Sequence, residues 1–485
     1  MDLGSLSKRE QEWIYNGLDC CITRELVPIT EGMLKPDQAQ VYAFEMAQQR
    51  PALAMMLRGV GVDHVEMGRM ATELEWQRDQ LEGWIEELTV AMAGERISPR
   101  SPIQLMWLFY DMMKLPVVYK YQKGERKRTV DRDALEKLRA YYHPTPLINA
   151  ILELRDVEKK LGVLGYGRKR KVSRIDERGR FRSSFNIGGT TTGRWSSSTG
   201  VFGGGSNLQN ITEELRRIFI ADPGMKLAYL DLEGAESYGV AYLSGDENYI
   251  QAAHSGDVHT FVARMMWPEL AWNGDLKKDR VLADTPFYRH YTRRFVCKTG
   301  GHASNYLGRP RTVAEHTHIQ VRIIEEFQEK YFDRFPGIPR WHREVAELLQ
   351  TRGFLITPLG RVRYFFDRLR DDATLRKAVA FLPQSTIADI LNIGLCRLYD
   401  ELDRNGEFEL LLQLHDAAGF QYREEARDFI PRAVELMRIP VPIKGRILTI
   451  PVEAKVGYNW KEMKLFGRDQ EQVRPKINLL DARID

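Results

Sequence analysis

Cysteine is nearly absent from this chain: Cys20, Cys21, Cys297 and Cys396 are the only four in 485 residues, and none stands at metal-ligand spacing. So few in so long a chain exclude a disulfide framework and fit a reducing, cytosolic setting. The adjacent Cys20 and Cys21 are expected to pack in a core. The opening "MDLGSLSKREQEWIYNG" has no apolar signal-like run, and no stretch is read as long enough to span a bilayer. A soluble cytoplasmic protein with no membrane partner is the expectation. Net charge is also slight, +4 with pI near 8.6, which does not by itself announce a nucleic-acid binder. No repeat recurs at the periods of solenoids or propellers, and the length suits two to four domains or one large multi-lobed unit.

Helical periodicity runs through residues 37–95, broken at Gly59 to Gly61, and predicts long antiparallel helices. "SPIQLMWLFYDMMKL" and "DRDALEKL" form a second helical group, joined by the charged connector "YQKGERKRTVDR". The most basic stretch, 166–184, reads either as a solvated face or as a set of phosphate contacts. From 226 onward strands and helices alternate. "KLAYLDLEGAESYGVAYLSGD" reads as a buried strand that ends on Asp231 and enters a helix. Two long helices over 312–352 are separated by "FPGIPR", and another covers "TLRKAVAFLPQSTIADILNIGLCRLYDEL". A hairpin of strands 408–414 and 417–422, a helix near 424–438 and a last strand "ILTIPVEAKVGYNW" complete the order. Without a regular βαβ rhythm, this is an α+β platform with large helical insertions.

Within the hairpin, "LLLQLHDAAGF" sets His415 and Asp416 in an apolar segment. A turn tolerates Asp for local reasons, but a buried carboxylate needs a counter-charge, a metal or an escape to solvent. Asp231 and Asp416, each delivered by a β segment, are what a two-metal phosphoryl-transfer site requires, since two carboxylates can share a pair of cations about 3.5–4 Å apart. In "RRFVCKTGGHASNYLG", Arg294, Lys298, His302 and Tyr306 recur every fourth residue. On a helix that spacing drifts by only ~40° per step, so cations and then rings share one face, suiting a triphosphate with a base beyond it. An exposed helix with a chance basic stripe gives the same pattern. Gly300 and Gly301 either argue against the helix or leave room for a close ligand.

"DLEGAE", "RRFVCKTGGHASNY" and "QLHDAAGF" stand in the order and at the approximate separations of the three polymerase motifs of the family A DNA polymerases, the group typified by bacterial DNA polymerase I, and the chain resembles that family over about residues 40–465. "TTTGRWSSSTGVFGGGSNLQNI", "DVHTF", "FPGIPRWHREVAELLQTRGFLITPLGRVR" and "VEAKVGYNW" are similar to further segments of it. The resemblance implies a right-hand fold with an antiparallel-sheet palm and mostly helical thumb and fingers. It places the thumb at 34–165, the first part of the palm at 166–249, the fingers at 250–375, and the rest of the palm with the tail at 376–485. It also implies DNA-directed DNA synthesis from dNTPs on a primer–template in replication or repair. Asp231 and Asp416 then hold two Mg²⁺ ions, with Mn²⁺ able to substitute. Lys298 and Arg294 hold the incoming phosphates, His259 makes a further phosphate contact, and Tyr306 stacks near the templating position. Glu236 excludes a ribose 2′-hydroxyl, and Arg194, Arg376, Gln384 and His415 touch primer and template.

Several residues depart from the family pattern. His302 stands where better-known members carry Phe or Tyr, which bears on sugar discrimination. Ala417 replaces the acidic residue that usually follows the His-Asp pair, Leu307 interrupts a Tyr-Gly pair, and "TGVFGGG" at 199–205 lengthens a loop near the primer. "YNGLDCCIT", with Tyr15 and Asp19, resembles the last motif of a 3′–5′ exonuclease domain, so 1–33 reads as a remnant of one or as a plain helix. Asp19 alone cannot build a nuclease metal site, and the chain is expected not to proofread. It reads as one half of a split polymerase served by a separate exonuclease subunit, or as a truncated form; a phage or other compact replication system, with or without a processivity factor, fits the missing nuclease halves and the unusual motif residues. Rival readings are a non-catalytic primer–template binding subunit and a metal-dependent phosphohydrolase. The tail 468–485 is expected to dock loosely or stay mobile.

Overall fold

The computed structural model describes residues 6–467, apart from 123, 142–145, 168–173, 202–203, 318 and 404–406. A five-stranded sheet with antiparallel pairing throughout is its middle layer. The strands are β1 (Met225–Leu232), β2 (Phe408–Leu414), β3 (Ala417–Arg423), β4 (Val452–Gly457) and β5 (Lys464–Leu465), in spatial order β2-β3-β1-β4-β5. Side chains alternate between faces along a strand. Ala228, Leu230 and Leu232 of β1 therefore join one buried cluster, while Leu227 and Tyr229 pack with another. Having a core on both faces explains why these strands read as apolar runs and not as alternating ones.

On the first core lie helices α1 (Ala235–Ser244), α2 (Val258–Met266), α3 (Arg293–Asn305), α4 (Val321–Arg334), α5 (Gly337–Arg352) and α6 (Asp372–Glu401). Their starts are set by short side chains. Asp257 caps α2 by accepting from the Thr260 N–H, and Thr292 caps α3 by accepting from the Phe295 N–H. Helices α1 and α6 cross closely at Gly239, where a Cβ would lie 3.2 Å from Pro383 and 3.4 Å from Ile387. The second core is built from the helices His64–Ala93 and Pro146–Leu164.

The α+β platform, the hairpin, and the strand from Met225 into a helix stand as expected. Other expectations change. The helices on either side of Gly59–Gly61 do not form a packed pair. Pro36–Arg58 packs on α6 and β2, whereas His64–Ala93 packs on Pro146–Leu164. Between them Gly59, at φ +66°, turns the chain into a short strand, Val60–Val62, which pairs with Arg180–Phe181 and Phe219–Ile220. The segment 312–352 holds the end of a helix Pro310–Thr317 besides α4 and α5, and the break before α5 is only Phe335 and Pro336. The charged connector forms a hairpin, Tyr119–Gln122 with Glu125–Arg128. The helix expected from 424 begins at Phe429, and the last strand is split into Arg446–Leu448 and β4.

Cys20 and Cys21 are exposed, on a helix Lys8–Gly32 that has no buried residue, so neither is a core residue. Contrary to the reading of the sequence, α6 is long and apolar enough to cross a bilayer. Its apolar window is 78% buried, and the helix is apolar because it runs through the first core. The basic stretch 166–184 lies partly outside the described residues. Within it Arg180 pairs with Asp222 and Arg182 with Asp176, so these two are structural cations and fit neither earlier alternative. Residues 202 and 203 of the lengthened loop, and the tail 468–485, also lie outside the described residues.

Candidate active site

The two carboxylates meet because of strand register. Ala417 pairs directly with Asp231, and the Leu232 N–H donates to the Asp416 carbonyl at 3.1 Å, which fastens the hairpin tip to the end of β1. His415 makes the turn at φ +48°, a left-handed conformation that few non-glycine residues adopt. The Gln413 side chain steadies it by donating to the His415 carbonyl at 3.2 Å, and Gln209 in turn donates to Gln413 at 2.7 Å. Glu453 of β4 pairs with Asp231 from the other side, but its carboxylate is engaged by Lys455 at 2.7 Å. Ala417 is fully buried and offers no oxygen.

Burial pushes the Asp231 carboxyl up to about 6, and repulsion from Asp416 adds to the rise. Asp416 is likewise raised, chiefly by burial. Neither side chain has an ion-pair or hydrogen-bond partner from another residue among those described. Two adjacent acids that are both pushed up, despite Lys455 near Asp231 and Arg194 and His415 near Asp416, form a site short of positive charge. Among the described residues no third acid, His or Cys completes a ligand cluster. A metal held here would therefore complete its shell with water and substrate oxygens, as Mg²⁺ commonly does.

Asp231 and Asp416 open on a cleft of about 620 Å³, lined also by Glu236, His259, Lys298, His302 and Tyr306. The predicted helical face exists, with one change. α3 ends at Asn305 and Tyr306 is its C-cap, leaving the Tyr306 hydroxyl buried with no partner among the described residues. Lys298 is exposed and pairs with no described carboxylate. Gly300 leaves room for a neighbouring ring and not for a ligand, whereas Gly301 lines the cleft. A Cβ on Gly300 would lie 2.7 Å from Phe327, and one on Gly301 would lie 3.4 Å from Tyr331, both on α4.

Arg294 is held by Asp257, with Nε and Nη2 at 3.1 and 3.3 Å from its oxygens. The sequence showed Asp257 only as part of "DVHTF". Its double role as cap of α2 and partner of Arg294 is legible only in three dimensions. His259, two residues on, is pushed down to about 4 by burial and then by Arg294, so it is neutral near pH 7. Arg194 reaches Glu236, with its Nη2 at 3.3 Å from Oε1. Arg376 and Gln384 lie on α6, partly buried and without a hydrogen-bond partner among the described residues, and His415 is exposed at the hairpin tip; none of the three lines the cleft.

Comparison with known proteins agrees with this geometry. A 31% identical relative, a thermostable DNA polymerase I of Thermus filiformis, matches over 423 residues, or 84% of this chain and 47% of that protein. The thermostable DNA polymerase I of Thermus aquaticus is 28% identical over 479 residues, 93% of this chain and 52% of that protein. The chain thus spans about half the length of the curated relatives it matches. A solved structure of the POL domain of Pol1 from M. smegmatis, in complex with DNA primer-template and dNTP, superposes with a TM-score of 0.71 at 25% identity, covering 86% of this chain and 70% of that one. The sequence profile of DNA polymerase family A matches residues 66–462. With the right-hand architecture, the paired carboxylates and that match in place, the chain belongs to DNA polymerase family A.

Proposed function

We propose that this chain is a DNA-directed DNA polymerase that adds dNTPs to a primer 3′-hydroxyl on a template. The observation that carries the reading is the pair of half-buried carboxylates, Asp231 and Asp416, neither of them bonded to another side chain among the described residues, sharing a cleft with Lys298, a cation that pairs with no described carboxylate. Family A polymerases in general use divalent metal ions. Asp231 and Asp416 would hold two Mg²⁺ ions, or Mn²⁺ in their place, which when bound supply activation of the 3′-hydroxyl and neutralisation of phosphate charge. Lys298 is free to take the triphosphate. Arg294 joins it by exchanging Asp257 for phosphate oxygens, and neutral His259 contributes an N–H. The 3′-oxygen attacks the α-phosphate in line, a P–O bond forms, and pyrophosphate leaves. Tyr306 borders the nascent pair, and Glu236 occupies the place where a 2′-hydroxyl would go. Arg194, Arg376, Gln384 and His415 are assigned to duplex contacts, which position the primer and do not read its sequence.

We assign the thumb to 34–165, the palm to 166–249 and 376–467, and the fingers to 250–375, and read the exposed helix bearing Asp19 as the exonuclease remnant. Four free cysteines support a cytoplasmic setting.

Primer extension with purified protein, Mg²⁺ and dNTPs tests the reading. Growth of the primer supports it, and hydrolysis of dNTPs without growth would favour the phosphohydrolase. A labelled single strand is expected to survive incubation with this chain, and its degradation from the 3′ end would refute the absence of proofreading. Metal and pH should be linked. Since the folded-state carboxyl of Asp231 lies at about 6, above the unfolded value of roughly 3.9, its ionisation opposes folding. That penalty is absent below the unfolded value and complete once the pH exceeds the folded one. Added Mg²⁺ should therefore raise the melting temperature more at about pH 8 than at about pH 5, and an equal rise at both would contradict the assignment.

A further inference from the structure

Glu236 sits in the first turn of α1 with both carboxylate oxygens taken. Oε2 lies 3.2 Å from His302 Nδ1 and Oε1 lies 3.3 Å from Arg194 Nη2. The two partners come from different parts of the chain, one from α3 and the other from the turn that precedes Trp195. We infer that His302 and Arg194 form a clamp that fixes the rotamer of Glu236, which makes His302 a positioning residue for sugar discrimination. The inference rests on the reading of Glu236 as the residue that excludes a 2′-hydroxyl.

The Arg194 arm stands on a rigid mount. Thr190 Oγ1 donates to the Arg194 carbonyl at 2.7 Å, Asn392 donates to the Gly193 carbonyl at 3.2 Å, and Trp195 donates to Gln48 at 2.8 Å. Gly193, at φ +74°, lies so close over Arg361 that a Cβ would be 2.6 Å from its guanidinium carbon. The His302 arm is fixed by its place in α3 and by the Tyr306 ring, whose centroid is 4.8 Å away. Burial alone would raise the Glu236 carboxyl, yet His302 and Arg194 hold it below the ordinary value, so the gate is a charged, doubly anchored group. A carboxylate held from two directions has one position, and a gate works by occupying one position.

Losing the His302 arm frees Oε2. The buried Tyr306 hydroxyl, unpaired among the described residues and within electrostatic reach of Glu236, then becomes a competing donor that draws the carboxylate aside. Nδ1 can donate in the neutral and the cationic imidazole alike. Phenylalanine at 302 keeps a ring against Tyr306 but cannot donate, whereas asparagine offers a donor at nearly the Nδ1 position.

The experiment is single-nucleotide incorporation on a primer–template, read as the ratio of kcat/KM for a dNTP to that for the matching rNTP. Equilibrium binding of the same two nucleotides to the protein–DNA complex supplies the ratio if turnover is slow. Glu236→Ala should collapse the ratio, His302→Phe should lower it about tenfold, as expected for loss of one hydrogen bond to a charged group, and His302→Asn should restore most of it. An unchanged ratio in Glu236→Ala sinks the gate itself. A collapsed ratio in Glu236→Ala beside an unchanged one in His302→Phe overturns the clamp and leaves the gate standing. Equal losses in His302→Phe and His302→Asn also overturn the clamp, because the imidazole would then act by shape and not as a donor.

Discussion

Replacing either Asp231 or Asp416 with asparagine should abolish primer extension while duplex binding persists. Removing a single preorganised donor from a transition state commonly costs ~10²–10³ in rate, and loss of one of the two carboxylates proposed to hold the metal should exceed that. The sparse ligand set makes this chain unusually dependent on each. The Ala417 side chain supplies no oxygen, Glu453 is occupied by Lys455, and no third Asp, Glu, His or Cys completes a ligand group among the described residues. The asparagines keep size and shape, so folding should be little changed, and the raised Asp231 carboxyl should no longer oppose it. Rapid-quench incorporation and a DNA-binding titration on the same preparations separate chemistry from binding. Synthesis within tenfold of the wild type in either variant would remove that residue from the metal assignment.

Arg361→Met should cost about 3–5 kcal/mol of stability, the usual consequence of leaving a buried acid, here Asp389, without its cation. Arg361 binds Asp389 through Nη2 at 2.7 Å and through Nε at 3.0 Å, and reaches Glu45 with Nη1 at 2.5 Å. The Asp389 side chain is only 3% exposed. This one guanidinium thus ties the helix Pro36–Arg58 and α6 to the hairpin Phe354–Ile356/Val362–Tyr364, and it lies beneath Gly193. The double variant Arg361→Met/Asp389→Leu should recover part of the loss, because replacing both members of a buried pair with apolar groups costs less than orphaning one. Denaturant midpoints measure both effects. A loss below about 1 kcal/mol for Arg361→Met would show that water reaches Asp389, against its burial here.

Local chemistry was the legible part of this molecule. The hairpin strands fall within a residue of their predicted ends because apolar strands flanking a polar pair define a turn wherever they occur. Asp231 at the end of β1 and the cationic face of α3 follow from local periodicity in the same way. Partner choice was not legible. Nothing in residues 37–95 says that the first helix leaves the second to pack on α6, since that depends on strands contributed from around 180 and 219. Gly300 is ambiguous in the sequence because the ring that fills its space, Phe327, comes from another helix. The same holds for Asp257, Gln413 and Arg361, whose roles reside in contacts across the fold.

The most direct test of the central claim is rapid-quench incorporation of a single nucleotide, offering each dNTP in turn against each of the four template bases, with Mg²⁺ and then with chelator. Template-directed, metal-dependent synthesis requires rapid addition of the complementary dNTP only, release of one pyrophosphate per nucleotide added, and no addition once the metal is removed. Addition that ignores the template base, or that proceeds undiminished in chelator, would contradict it.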